Sequence, residues 1–530
     1  MDVDVIAEGR ESGSPLPSVF LSLWRYSAVL LLGFASGLPL ALTGTAMQAW
    51  LVADKVTIAT IGFFGLVGVP YTFKFVWAPL MDRFEPPFLG RRRGWLTFTQ
   101  LAIAGALWWI SGISPSGNAK AFALVAVLVA FLSASQDVVI DAYRTDVLSP
   151  KERGLGASLA VLGYRLAMFV SGGLAFVWAD LEKGRGWSWS YIYQIMAMIM
   201  VGIAVASLLL LPKLPKHLKA PKTHASRDLV GFFALVASVA LGYSLTNWGV
   251  QPLMDRVFQV QTVATHQKWA DLASLLTGIV ITLPLGWWAT KLARFETLNR
   301  SMESYFSQNR AGTFLLLIIL YKLGDAFAGA LLTPFLLQAV GFSSAEVGFV
   351  NKMLGIWLTI GGALVGGALM IRIGLYRAML WFGFLQLVSN FGFWLVAVST
   401  KGAWGSFSLP AFDWGIVMLK EAAQIDYQLI SVVALENITG GMGTAALVAF
   451  LMALCNQRFT ATQYALLSAL SAVGRVWVGP FSGVLTETMG WPMFFILSAV
   501  MAVPGLAMLV WLKQDVMALD APKVGLDLDD

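Results

Sequence analysis

Charge is scarce in this sequence. Lys, Arg, Asp and Glu make up 12% of the 530 residues, about half the share of a soluble domain. Apolar residues reach 58%, more than one water-soluble core can hide as a chain lengthens. An ordinary soluble fold is therefore excluded. A single cysteine, Cys455, rules out an intrachain disulfide framework. The three histidines, His217, His224 and His266, have no metal-ligand spacing, so no metal is expected. Gly440-Gly441-Met442-Gly443 has no following Lys-Ser or Lys-Thr and is not a phosphate loop. No Gly-x-Ser-x-Gly elbow is present. Neither a cofactor nor an enzymatic activity is expected. The net charge of +6 is spread over many loops rather than one patch, which argues against a nucleic-acid partner. The first 18 residues lack the basic start and cleavage site of a signal peptide, so the first apolar run is expected to remain as a spanning helix.

What the chain has instead is apolar runs of about 20 residues, the length that crosses a bilayer core as a helix. The alternating ten-residue segments of a membrane β-barrel are absent. Breaks at charge, Pro and Gly give fourteen expected spans, six near 28–51, 58–80, 96–114, 120–142, 154–179 and 190–211. Two follow near 229–249 and 272–290, then six near 312–339, 345–370, 376–399, 430–454, 462–486 and 493–512. Lys and Arg show a roughly threefold excess in alternate loops, which puts both termini in the cytoplasm. The fold class is an all-α integral membrane protein. Its expected units are a tail (1–20), a six-helix bundle (21–212), a linker (213–228), a central two-helix hairpin (229–290), a linker (291–311), a second six-helix bundle (312–515) and a tail (516–530).

The two bundles echo each other. Ser158, Arg165 and Gly173 recur at the same spacing as Ser468, Arg475 and Gly483, and Thr43 and Gln48-Ala49 recur as Thr333 and Gln338-Ala339. Repeated six-helix halves are a transporter signature, with cargo bound between them near midplane. Asp82-Arg83 followed by Gly90-Arg91-Arg92-Arg93 resembles the loop after the second helix of major facilitator transporters. Its departures are the inserted Glu85-Pro86-Pro87-Phe88-Leu89 and Ala78 at a position where glycine is usual. The whole stretch from Leu80 to Trp95 resembles that of AmpG-type muropeptide permeases. So do Gly33-Phe34-Ala35-Ser36-Gly37-Leu38-Pro39-Leu40, Ser135-Gln136-Asp137 through Asp141-Ala142-Tyr143, Tyr321-Lys322-Leu323-Gly324-Asp325-Ala326-Phe327, Gly440 to Thr444, and Leu466 to Pro480. The resemblance implies proton-driven import of anhydro-muropeptides across a Gram-negative inner membrane for peptidoglycan recycling. In that family the flux also feeds β-lactamase induction. The expected partners are the muropeptide, protons and the bilayer, with the chain acting as a monomer. Rival readings are import of another oligosaccharide, an acylated nucleotide or a small anionic solute, an integral-membrane enzyme, or a receptor that does not transport. Lys401–Gln428 is long enough to hold an interfacial helix.

Charges within spans are the sharpest local signal, because each costs about 2.5–3.5 kcal/mol at a helix centre. Arg165 and Arg475 either bind cargo carboxylates, which guanidinium matches with two hydrogen bonds, or lock helices together. Lys74, Lys322 and Lys352 are further candidate cargo contacts, with Lys322 and Asp325 spaced to neutralise each other on one helical face. Proton coupling needs a desolvated carboxylate beside a cation, and Asp137, Asp325 and Glu436 are the candidates. Asp141 reads instead as a solvated interfacial carboxylate. Gln48, Gln136, Asn351, Gln386, Asn390 and Asn437 offer hydrogen bonds to sugar hydroxyl and acetamido groups, or else glue between helices. Asp82, Arg83, Arg91, Arg92, Arg93 and Arg372 read as a conformational latch or as orientation signals.

Overall fold

The computed structural model describes residues 18–78, 81, 86, 90–148, 153–212, 225–260, 266–295, 303, 306, 307, 310–454 and 460–519. The first half runs through helices α1 (Ser18–Leu42), α2 (Thr45–Ala53), α3 (Ile58–Phe63), α4 (Val69–Phe73), α5 (Arg91–Ser111), α6 (Ala119–Val147), α7 (Arg153–Met168), α8 (Ala175–Ala179) and α9 (Trp189–Leu210). The central hairpin is α10 (Ala225–Leu245), α11 (Gln251–Val257) and α12 (His266–Leu292). The second half contains α13 (Ala311–Tyr321), α14 (Leu323–Ala330), α15 (Ser344–Val347), α16 (Gly355–Ile373), α17 (Leu375–Val398), α18 (Tyr427–Leu454), α19 (Thr460–Trp511) and α20 (Lys513–Leu519). Among the described residues, eleven stretches are helical, long and apolar enough to cross a bilayer.

The eleven stretches differ from fourteen expected spans for local reasons. The second expected span is broken into short α and 3₁₀ pieces between Ile58 and Val76. Thr97, Thr99 and Gln100 lower the hydropathy of α5. The last two spans join through α19, whose only non-helical residue is Gly490 at φ 77°. Helix starts are marked by short polar side chains. Asn118 accepts from the Ala121 amide at 3.0 Å, and Ser188 accepts from Tyr191 at 3.3 Å; each satisfies a donor that the first helical turn leaves free.

Because successive spans alternate in direction, the loops after residues 53, 111, 179, 339, 398 and 489 gather at the end opposite the termini, here the far face. Hydrogen bonds tie several of them together. The Asp54 carboxylate accepts from the hydroxyls of Ser114 and Ser116, and the Ser190 hydroxyl donates to the Ser111 carbonyl. At the terminal face, Arg93 and Trp24 donate to the carbonyls of Leu208 and Leu210, and Arg310 pairs with Asp515.

The far-face segment 401–428 holds strands where an interfacial helix was expected. β1 (Ser406–Leu409) pairs antiparallel with β4 (Ala423–Asp426), aligning Ser406 with Asp426, and β2 (Phe412–Asp413) pairs with β3 (Met418–Leu419). Gly402, Gly405 and Gly415 adopt φ values near +80° that other residues resist. Those three turns, together with Pro410, fold the segment back on itself as a nested hairpin.

Candidate functional site

The halves meet on the far-face side of the bundle. A Cβ on Gly62 would lie 2.5 Å from the Gly479 carbonyl oxygen, and one on Gly483 would lie 2.8 Å from the Ala59 Cα. The opposite seam is formed by Gly173 and Gly348, with a Gly348 Cβ 3.1 Å from the Gly173 carbonyl oxygen. Gly173 and Gly483, repeat-related in sequence, thus occupy the two corresponding seams. Small residues let the backbones approach closely, which is how helices associate where lipid removes the hydrophobic drive. Gln48 Nε2 donates to the Ala330 carbonyl at 2.7 Å, and the Ala59 amide donates to Glu487 at 2.7 Å. Both bonds also cross between halves at this end.

A charged knot seals the far face above these seams. Glu346 is 1% exposed; its Oε1 lies 2.9 Å from Lys183 Nζ in the first half, and its Oε2 lies 2.7 Å from Lys401 Nζ in the second. Ser343 and Glu346 form a reciprocal capping box at the start of α15. The Asp180 carboxylate takes the next amide of that helix, Ala345, at 2.8 Å. Sequence reasoning missed Glu346 and Asp180. A Ser-x-x-Glu signal was present at Ser343, but nothing in the sequence gave the partner lysines 163 and 55 positions away.

Below the seal, the first half opens a cavity of about 210 Å³ lined by Gly33, Ser36, Lys74, Asp137, Ile140, Asp141, Arg144, Ala160, Val161 and Tyr164. Ser36 Oγ donates to Asp137 Oδ1 at 2.6 Å. Lys74 Nζ stands 3.8 Å from Asp141, which also meets Arg144 at 3.2 Å. Asp137 feels the charges of Lys74 and Asp141. In the second half, Lys322 Nζ and Asp325 are paired at 2.9 Å, and Glu436 lies within electrostatic reach of Asp325, Lys352 and Lys322. All three proton-coupling candidates thus lie within electrostatic reach of a lysine, and Asp325 is in direct contact with one.

The three lysines share a backbone circumstance. Lys74 begins a 3₁₀ turn, Lys322 sits at the break between α13 and α14, and Lys352 lies on a π-helical turn spanning Gly348–Leu354. Irregular backbone at membrane depth is tolerated where it is buried in protein or lines a polar cavity, and π turns gather at functional sites. Arg165 lies four residues before another π turn, Phe169–Leu174, and its Nε is buried without a hydrogen-bond partner. Among the described residues, neither Arg165 nor Lys352 forms an ion pair.

The neutral candidates divide. Gln48 is committed to Ala330. Gln136, fully buried, donates to the Ala35 carbonyl at 2.8 Å. Asn437 donates to Val433 and to Glu436, each at 2.8 Å, and accepts from Thr359 at 2.8 Å. Gln386 keeps both amide atoms buried without partners, as do the Asn351 and Asn390 nitrogens. Of the latch candidates, Asp82 and Arg83 lie outside the described residues, Arg91 opens α5, Arg92 is half-buried, Arg93 reaches Leu208, and Arg372 is exposed at the end of α16. Arg475 belongs to α19; its side chain lies outside the described residues, as does that of Ser158.

A profile of the Major Facilitator Superfamily matches residues 29–419. The chain is 42% identical over 490 residues to the "Anhydromuropeptide permease" of Escherichia coli (strain K12), covering 92% of this chain and 80% of that protein. It is 27% identical to "Putative transporter AmpG 4" of Rickettsia conorii (strain ATCC VR-613 / Malish 7), covering 93% and 97%. Among solved structures, a POT family transporter in complex with 5-aminolevulinic acid superposes with TM-score 0.63 at 13% identity, covering 93% of this chain and 96% of that one. A bacterial homolog to human lysosomal transporter Spinster, inward-facing and unoccupied, gives TM-score 0.58 at 12% identity, covering 97% and 100%. At those identities the structural likeness concerns the fold.

Proposed function

This chain belongs to the major facilitator superfamily and, within it, to the AmpG-type anhydromuropeptide permeases, and from that premise we propose that it imports anhydro-muropeptides together with protons by alternating access. It is a multi-pass membrane permease, not an enzyme. The inner membrane of a Gram-negative cell is the proposed location, with the terminal face toward the cytoplasm and the chain acting as a monomer. The moving units are the bundles 21–212 and 312–515, with the hairpin 229–290 peripheral.

One observation carries the reading: two sets of lysine–carboxylate neighbours, one in each half, beneath a seam closed at the far face. A muropeptide brings lactyl and peptide carboxylates, so its chamber needs cations not already neutralised. Arg165 and Lys352, one from each half, fit that need, and a bidentate guanidinium adds direction. Coupling follows by linkage. A cargo anion near Lys74 and Arg165 offsets the positive field that Asp137 feels and favours a proton there, so cargo and proton each raise the other's affinity by the same factor. Glu436, flanked by Lys352, is the corresponding group of the second half. The buried amides of Gln386, Asn351 and Asn390 offer bonds for sugar hydroxyl and acetamido groups.

The test is uptake of radiolabelled anhydro-muropeptide by proteoliposomes. Uptake is expected to rise at least tenfold with an inside-alkaline pH gradient and to collapse with a protonophore. Uptake indifferent to the gradient overturns proton coupling, and no uptake under any gradient overturns the cargo.

A further inference from the structure

The far-face hairpin does more than cover a loop. It belongs to the second half, yet it rests on the first: Trp178 Nε1 donates to the Ile416 carbonyl at 2.8 Å, the Lys420 amide donates to the Lys183 carbonyl at 2.9 Å, and Arg185 donates to the Gly415 carbonyl. On its own side Phe349 meets Phe412 at 6.1 Å. The hairpin therefore straddles the seam through which cargo enters when the far face opens. At that place the chain displays aromatic rings beside a guanidinium. Trp414 is 78% exposed, with one side against Phe412 at 4.6 Å. Next to it Arg185 stacks on Trp187 at 4.9 Å, and Trp187 contacts Trp178 at 5.5 Å. Arg185 Nε is buried and has no hydrogen-bond partner.

We propose that Trp414, Arg185 and Trp187 form an outer docking site that captures the sugar end of an incoming anionic amino-sugar before the far face opens. The proposal rests on the cargo reading above and adds a second site to it. An indole open on one face offers a flat apolar surface to the axial C–H groups of a pyranose. The neighbouring Arg185 guanidinium, whose Nη2 holds the Gly415 carbonyl, takes the cargo carboxylate in exchange for that bond. Stacking of this kind suits first capture, because a rigid aromatic loses little conformational entropy on binding. The site is also wired to the gate. Cargo that recruits Arg185 competes with its bond to the Gly415 carbonyl, one of the contacts holding the hairpin on the first half. Docking thereby loosens the strap across the entrance.

The rival occupant of an exposed indole in a membrane protein is the lipid interface, and the experiment separates the two. The protein in lipid nanodiscs is compared with its Trp414→Leu variant, and the difference fluorescence is quenched either by iodide or by brominated acyl chains. Iodide alone is expected to quench, and the disaccharide of N-acetylglucosamine and anhydro-N-acetylmuramic acid is expected to protect. Quenching by brominated lipid, or no protection at millimolar disaccharide, overturns the proposal. In proteoliposomes Trp414→Leu and Arg185→Gln are each expected to raise KM about tenfold with kcat within twofold, and Trp414→Tyr to restore most of the affinity. An unchanged KM in both variants overturns it as well. Protection is read without transport, so absence of uptake by the wild type would strike the cargo reading alone.

Discussion

At the scale of single residues, the consequential groups are those whose partners come from other helices. Asp137 was legible as a carboxylate in an apolar run, but its bond from Ser36, 101 positions away, was not, because one sequence carries no record of which helices touch. Asp137→Asn is expected to reduce gradient-driven uptake at least 100-fold while leaving cargo counterflow within about threefold; loss of both would assign Asp137 to binding. Lys352→Gln is expected to raise KM about tenfold, equivalent to about 1.4 kcal/mol of lost binding, with proton-driven stimulation intact. The spacing of Lys322 and Asp325 predicted their pairing, since a helix places residues three apart on one face, and the pair forms at 2.9 Å. Outside the spans, Asp54 shows a different balance. Burial pushes its carboxyl up, but bonds from the Ser116 amide and from the Ser116 and Ser114 hydroxyls outweigh this and hold it below the usual carboxylate range. A group depressed on folding stabilises above its unfolded value, and that contribution is lost as pH falls through the folded one. Asp54→Asn should therefore lower Tm slightly at neutral pH, a difference that shrinks as pH falls below the usual carboxylate range, measured by thermal melts across pH.

Among elements, the seams and the far-face hairpin are where the two halves touch. The repeat in sequence paired Gly173 with Gly483, yet only the packing revealed that both are contact points between halves. Gly62→Val puts a side chain where a Cβ would already lie 2.5 Å from the Gly479 carbonyl oxygen, a backbone atom that cannot swing aside. It is expected to hold the far-face seam apart and cut uptake at least tenfold. An engineered cysteine at Ser116 on the far face would give normal labelling if the fold survives. Glu346→Gln leaves Lys183 and Lys401 without their carboxylate. Truncating one partner of a buried ion pair costs about 3–5 kcal/mol, and the partial exposure of Lys401 brings the expectation to the lower end. The variant should favour the far-face-open state, read as faster modification of a cysteine placed at Ala345. An unchanged rate would reduce the knot to a local cap. The segment 401–428 misled sequence reasoning because its length alone suggested an interfacial helix, whereas its three glycines at positive φ were turn signals that carried more weight.

Across the molecule, the central hairpin stands apart from the rest. The spanning windows at Leu229–Val257 and His266–Leu292 are 17% and 22% buried, the latter matched in the bundles by Ser344–Ile373 at 22%, against 61% for the first span. Lys268 ties it to the first bundle, reaching the Thr60 hydroxyl at 3.3 Å, whereas the fully buried Phe295 packs on Gly231 within the hairpin itself. Excising residues 225–295 and joining the ends with a flexible linker is expected to leave uptake within about threefold while lowering Tm by a few degrees. Abolished uptake in a folded, correctly inserted variant would give the hairpin a part in the cycle.

The amino-acid order alone determined a helical membrane protein with repeated halves and named most of the charges that lie within its spans. It could do so because helix length, apolar content and the rarity of buried charge are local properties, written along the chain. The far-face seal by Glu346, the strand pairing over the entrance and the placing of Asp137 beside Ser36 and Lys74 were decided only by tertiary structure. Each depends on side chains brought together from separate helices or loops, where close packing and charge neutralisation select one partner among many that the sequence permits.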